Sequence, residues 1–242
     1  MDIAFLTDIV KQLCSGLISS FWIFVLTLLF SMPLGLLITY GRMSKFAPFH
    51  FLAPKNQSVG KARTALANFK PIQFICKIFI AIVRGTPLML QLFAVFYGPY
   101  YLFKIPLSSE YRFTAVIIGF SINYAAYFAE IYRSGITSIP VGQYEAATVL
   151  GYNKAQTFFH IIFPQMCKRI VPPVTNEAIT LVKDTAMAFV ISYPEMFTVA
   201  KQIAAAKTTI LPLVVAGVFY FIFNGVVAFI MEHIEKRMSY YR

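Results

Sequence analysis

Residues 12–41 read QLCSGLISSFWIFVLTLLFSMPLGLLITYG, without one Asp, Glu, Lys or Arg. A helix needs about 20 apolar residues to cross the hydrocarbon core of a bilayer, and this run exceeds that. Further uncharged runs occupy 85–103, 113–129 and 208–231. A fifth stretch, 170–193, is long enough but carries Glu177, Lys183 and Asp184 among largely apolar neighbours. The pattern predicts an all-α membrane protein with five transmembrane helices, at approximately 15–41, 72–103, 112–132, 168–193 and 209–232. The whole chain, 1–242, reads as one transmembrane domain. Composition agrees: 58% of residues are apolar and 13% charged, about half the charge of a soluble domain.

The N-terminus carries Asp2 and Asp8 and no short basic region, so the first span is expected to be an uncleaved anchor rather than a signal peptide. Cys14, Cys76 and Cys167 are scattered and imply no disulfide framework. His50, His160 and His233 show no metal-ligand spacing, so no metal site is expected. The net charge of +11 is explained by the positive-inside rule rather than by nucleic-acid binding. With five spans and a cytoplasmic C-terminus, the inner side holds Arg42, Lys45, Lys55, Lys61, Arg63, Lys70, Arg133, Lys154, Lys168, Arg169, Lys236, Arg237 and Arg242, thirteen in all. The outer side holds five: Lys11, Lys104, Arg112, Lys201 and Lys207. This bias predicts an outer N-terminus and a cytoplasmic C-terminus.

That orientation puts 143–152, QYEAATVLGY, in the cytoplasm between the third and fourth spans. Ser138 and Pro140 read as the entrance to a helix, Ala, Glu and Leu favour it, and Gly151 reads as its end. A helix over approximately 140–152 is too short and too polar to cross a membrane.

From Glu145 the segment continues as EAATVLGYNKAQTFFHIIFP, ending at Pro164. It resembles the cytoplasmic signature of permeases of ATP-binding cassette (ABC) importers, carried here by Glu145, Ala146, Ala147, Gly151, Ile161 and Pro164. Phe163 stands where that signature has Leu. RGTPLMLQLF (84–93), AEIYRSGITSIPVGQYEAA (129–147) and NEAITLVKDTAMAF (176–189) resemble the polar amino acid uptake branch. The segment 43–70 is longer than that branch leads one to expect, and no role is assigned to it.

The resemblance implies a type I ABC importer permease fold in a bacterial cytoplasmic (inner) membrane. It implies a second permease, identical or a similar paralogue, two ABC ATPase subunits docked from the cytoplasm, and an extracellular or periplasmic amino acid-binding protein. It implies no enzyme activity and no cofactor on this chain, ATP and Mg belonging to the partner subunits. No Gly-rich loop followed by Lys and Ser/Thr is present. The candidate ATPase-docking residues are Tyr144, Glu145, Ala146, Ala147, Val149, Leu150 and Gly151, with Tyr152 as a further apolar anchor. An apolar helix face seated in a partner's groove is the recognition mode expected.

Intramembrane polar groups mark function. Polar residues recur at i and i+7 as Glu177 and Asp184, Asn123 and Glu130, and Arg84 and Gln91, and that spacing returns to one helix face. An amino acid zwitterion needs an acidic or carbonyl-rich partner for its ammonium and a cation or helix N-terminus for its carboxylate. Thr86, Gln91, Asn123, Tyr124, Glu177 and Asp184 are the candidate substrate-path residues, with Glu177 first for the ammonium. Pro87 frees a backbone carbonyl in the same region. Glu130 has Arg133 at i+3 as a structural partner. Asp184 reads equally as half of a structural salt bridge. Arg84 is deep if the second span starts near Pro71, and snorkels at the boundary if 85–103 does all the spanning.

An alternative reading is a self-sufficient ion-coupled secondary amino acid transporter. It calls for inverted repeats, and no convincing repeat is found. A membrane enzyme calls for a clustered catalytic set, which the dispersed histidines do not supply. The acidic path residues favour neutral or cationic amino acids; the sequence does not single one out.

Overall fold

The computed structural model describes residues 3–48 and 68–238. Asp2, His50, Lys55, Lys61, Arg63 and Arg242, used above, lie outside the described residues, as does most of the 43–70 segment. The regular structure among the described residues is all helical, with no strand.

Helix α1 runs Ile3–Arg42, beginning twelve residues before the expected span start at 15. At 1.5 Å per residue its 40 residues extend about 60 Å. It packs along α4, Ser109–Thr137, in the most extensive helix contact of the fold. Small residues make that approach possible. A Cβ added at Gly35 would lie 2.8 Å from Phe128 Cβ and 3.2 Å from the Ala125 carbonyl oxygen. Thr39 Oγ1, one turn on, lies 2.8 Å from the Gly35 carbonyl and 3.0 Å from the Ala129 carbonyl of α4. Small residues let apolar helices close to van der Waals contact where no hydrophobic effect drives them together. Ser108 caps α4, its Oγ accepting from the Tyr111 N–H at 3.0 Å.

The expected span 72–103 is broken. Helix α2, Pro71–Gly85, and helix α3, Leu88–Phe103, meet at 108° across Thr86 and Pro87. A residue before proline is driven out of the helical region, and Thr86 is extended, with φ −119° and ψ 145°. The expected i, i+7 stripe of Arg84 and Gln91 therefore does not lie on one helix. Length and apolarity qualify α1, α4 and α8, Leu211–Met238, as spans among the described residues, and the bent pair adds a fourth if taken as one.

The remaining expected span falls on α6, Phe163–Asp184, which is long but carries Lys168, Arg169, Glu177, Lys183 and Asp184. The chain then tightens into a 3₁₀ segment, Thr185–Ile191. The short helix α5, Val141–Val149, precedes α6. Between them Asn153 starts a turn at Lys154–Gln156 with a reciprocal cap: Gln156 N–H to Asn153 Oδ1 and Asn153 N–H to Gln156 Oε1, both 2.9 Å. Six residues of π-helix, Thr157–Ile162, lead into α6 directly before Pro164. In an α-turn the pyrrolidine would meet the carbonyl four residues earlier; the wider turn relieves that conflict.

Helix α7, Met196–Lys207, lies against the early part of α1 and against α8. Ile9, Leu13, Met196, Ala200, Ile203 and Ala216 form a core of their own there. Gly16 of α1 touches Met196 so closely that a Cβ would sit 2.7 Å from its Cα. The larger core runs through α1, α3, α4 and α6 and includes Phe120, Tyr124, Phe128 and Leu181. Most of α8 is left exposed, Phe221 and Phe229 included. Such an apolar surface suits lipid or a second helical subunit.

Candidate functional site

The break between α2 and α3 gathers three of the six candidate path residues. Gln91 Nε2 donates to the Val83 carbonyl at 2.8 Å and lies 3.1 Å from the Thr86 carbonyl and 2.9 Å from Thr86 Oγ1. Val83 is four residues before Pro87, so its carbonyl is the one that lost its helical donor. Asn123 Nδ2 of α4 donates to Gln91 Oε1 at 3.0 Å, and Thr86 Oγ1 donates to the Ile82 carbonyl at 2.9 Å. The carbonyl expected from Pro87 is thus already occupied, and these amides chiefly secure the bend.

Glu177 lies apart from that group, in a cavity of about 390 Å³ between α2, α4 and α6. Arg84, Tyr127, Glu130, Ser134, Ser138, Arg169 and Pro173 share its walls. Two of the four charges are committed within the protein. Arg133 holds Glu130 through two hydrogen bonds of 2.7 and 3.0 Å, and Arg169 donates to the Ser138 carbonyl. Arg84 and Glu177 have neither an ion pair nor a side-chain hydrogen bond of this kind among the described residues. The Arg84 guanidinium stands 5.1 Å over the Tyr127 ring. Helix α2 does begin at Pro71, so Arg84 is about 20 Å along it.

Tyr124 and Asp184 form a third group. The Tyr124 hydroxyl donates to Asp184 Oδ2 at 2.8 Å, with the Tyr124 ring fully buried. Asp184 has no ion-pair partner among the described residues, so its contact is this hydroxyl rather than the salt bridge considered above. The Tyr124 and Tyr127 rings are 6.2 Å apart and join this group to the cavity wall. The six candidates therefore form three adjoining groups, not one pocket.

Helix α5 presents the candidate docking residues. Ser138, read as its entrance, instead caps α4, and Pro140 occupies the N-cap of α5 without a side-chain bond. The helix ends in a Schellman motif: Tyr152 N–H to the Ala147 carbonyl and Gly151 N–H to the Thr148 carbonyl, both 3.0 Å. Gly151 has φ +75°, a conformation that glycine adopts without penalty. Val149 is 88% exposed and Leu150 69%. Tyr144, Glu145, Ala146 and Tyr152 are exposed as well, but Ala147 is buried within the chain. Ala147 therefore seats α5 on its own protein and cannot be a docking contact in this conformation.

Sequence reasoning missed Glu195. Its side chain is fully buried and caps α7, accepting from Phe197 N–H at 2.7 Å, Thr198 N–H at 2.6 Å, Thr198 Oγ1 at 2.8 Å and the Tyr220 hydroxyl of α8 at 2.9 Å. Met196 N–H donates to Ser20 Oγ of α1 at 3.3 Å. Burial pushes the Glu195 carboxyl above its ordinary range, against the opposing pull of these hydrogen bonds. The available signal was Glu195 directly after Pro194 at a helix start, which the apolar runs overshadowed.

Residues 62–240 match the family described as binding-protein-dependent transport system inner membrane component. The chain belongs to that family, one of membrane-embedded transport components rather than enzymes. The L-cystine transport system permease protein TcyB of Bacillus subtilis is 31% identical over 241 residues, covering 97% of this chain and 92% of TcyB. The arginine transport system permease protein ArtQ of the same organism is 35% identical over 175 residues, covering 72% of this chain and 78% of ArtQ. A crystal structure described as an amino acid ABC transporter with histidines matches with a TM-score of 0.79 and 28% identity, covering 98% of this chain and 99% of the other. The fold is that of a type I ABC importer permease.

Proposed function

We propose that this chain is the permease subunit of an ATP-driven amino acid importer and that α5 is its coupling helix. The observation that carries the reading is the exposed pair Val149 and Leu150 at the end of a short helix, closed by a Schellman turn, outside the apolar helices. An ATPase groove that receives them would transmit its closure to α6 through the capped turn at Asn153. The five-span topology, with outer N-terminus and cytoplasmic C-terminus, is part of this proposal; the spans rest on the apolar runs and the orientation on the charge count. A second permease, two ATPase subunits and an amino acid-binding protein complete the importer, and ATP and Mg belong to those ATPase subunits.

The cavity is the proposed substrate station of an alternating-access cycle. Its volume of about 390 Å³ suits a small ligand. Glu177 offers a carboxylate to the substrate ammonium and Arg84 a guanidinium to its carboxylate. Relatives named for cystine and for arginine support the amino acid class.

The test is coexpression with the ATPase encoded beside the gene, followed by reconstitution with the binding protein. ATP-dependent amino acid uptake is expected, and Leu150→Lys is expected to lose the ATPase while remaining in the membrane. Uptake by the chain alone, without ATP, would favour a secondary transporter. Unchanged ATPase retention by Leu150→Lys would remove the docking role from α5.

A further inference from the structure

A second cavity, of about 420 Å³, opens where α1 ends and α2 begins. Arg42, Asn68, Phe69, Lys70, Gln73, Phe74 and Lys77 line it. The helices converge because Gly41 has no side chain: a Cβ there would lie 2.6 Å from Cys76 Sγ. That close crossing brings Arg42, the first charge after the uncharged run of α1, to the same cavity as Lys70, the N-cap of α2, and Lys77, two turns into it.

Among the described residues no acidic side chain lines the cavity. None of its three cations has an ion pair among the described residues. The acid that senses Arg42, Glu130, is already held by Arg133 at 2.7 Å. The positive-inside rule accounts for cations near a membrane boundary, but not for three unpaired ones converging on a single cavity. The other lining residues are of a different kind. Phe69 and Phe74 are exposed, with ring centroids 5.6 Å apart, and Asn68 and Gln73 add amide donors. The apolar exposed face of α2, with Ile72 and Ile75, continues from the rings.

We propose that this corner binds the headgroup of an anionic phospholipid. The phosphodiester sits among Arg42, Lys70 and Lys77, and the glycerol and upper acyl chain lie over Phe69 and Phe74. Basic pockets between membrane helices recognise anionic headgroups through this chemistry. Free phosphate offers the same anion but has no use for the aromatic half of the site, so the lipid is the assigned ligand. The site is outside the substrate cavity and shares no lining residue with it.

The experiment is native mass spectrometry of the full chain in detergent, titrated separately with phosphatidylglycerol, phosphatidylcholine and inorganic phosphate. Preferential retention of phosphatidylglycerol is expected. A cation near an anionic surface contributes about a fivefold affinity, so Arg42→Gln with Lys77→Gln should weaken that retention roughly 30-fold. The control, Lys11→Gln with Lys207→Gln, removes the same charge from exposed sites elsewhere and should leave it unchanged. Equal retention of the two lipids by the unmodified chain would overturn the proposal, whatever the variants do. So would equal losses in the two double variants, or displacement of phosphatidylglycerol by stoichiometric inorganic phosphate.

Discussion

The Gln91 side-chain amide lies 2.8 Å from the carbonyl oxygen of Val83, standing in for the N–H that Pro87 lacks. The bend between α2 and α3 thus has a cause, Pro87, and a compensation, Gln91. Gln91→Leu leaves the carbonyl of Val83 and the amide of Asn123 without their partner. A destabilisation of about 1–3 kcal/mol is expected, read as a lowered unfolding temperature in detergent. Pro87→Ala in the same background should recover part of it, because alanine restores a backbone donor. Strict additivity of the two substitutions would show that the compensation is not real.

Gly35 sets the distance between α1 and α4. Gly35→Leu must displace Phe128 or the Ala125 backbone, which a Cβ alone would approach to 2.8 and 3.2 Å. Overpacking of this kind costs about 1–3 kcal/mol. The Thr39 bond to the Ala129 carbonyl should be lost with it. Gly217 of α8, where an added Cβ meets nothing within 4 Å, is the matched control. Thermal unfolding of Gly35→Leu and Gly217→Leu should separate the two clearly.

Gly151 is held in its conformation by the backbone rather than by crowding, since an added Cβ meets nothing within 4 Å while φ is +75°. Gly151→Val should cost about 1–2 kcal/mol at this turn, and Gly151→Asn much less, because asparagine tolerates the left-handed region. Co-purification of the ATPase is expected to follow that order. Equal retention by both variants would mean that the exit geometry of α5 is irrelevant to docking.

Glu195 predicts a direction with pH. Burial raises its carboxyl above the ordinary 4.5, so the folded chain keeps a proton that the unfolded chain gives up. Its contribution is fully present below that value and is lost as pH rises through the raised one. Stability of the unmodified chain relative to Glu195→Gln should therefore fall with rising pH over the window above 4.5. Unfolding temperatures of both proteins across that window provide the check. A difference that grows with pH would mean that the hydrogen bonds outweigh burial.

The sequence revealed what depends on bulk apolarity and on a long ordered motif. The run 12–41, the span around 112–132 and the signature from Glu145 to Pro164 were legible because a helix in lipid and a spaced motif leave direct traces. The bend at Thr86 and Pro87 was half legible: the proline and its freed carbonyl were readable, the direction of the chain beyond them was not. Gln91 and Asn123 read as path residues because composition cannot tell an amide facing a cavity from one bonded to a broken helix. Glu195 was invisible because four donors converge on it from residues up to 25 positions away. Ala147 reads as a partner contact because a nine-residue helix does not reveal by sequence which side its own protein covers.

Helix α1 is continuous over about 60 Å, with Pro33 inside it; its early turns are embedded with Met196 and Ala200 and its last turn is wedged against Cys76. A tilt of about 5° about one end carries the other end through about 5 Å, roughly one helical turn. The Glu195 anchorage, through Ser20, and the Arg42 corner, through Gly41, therefore lie against one and the same helix.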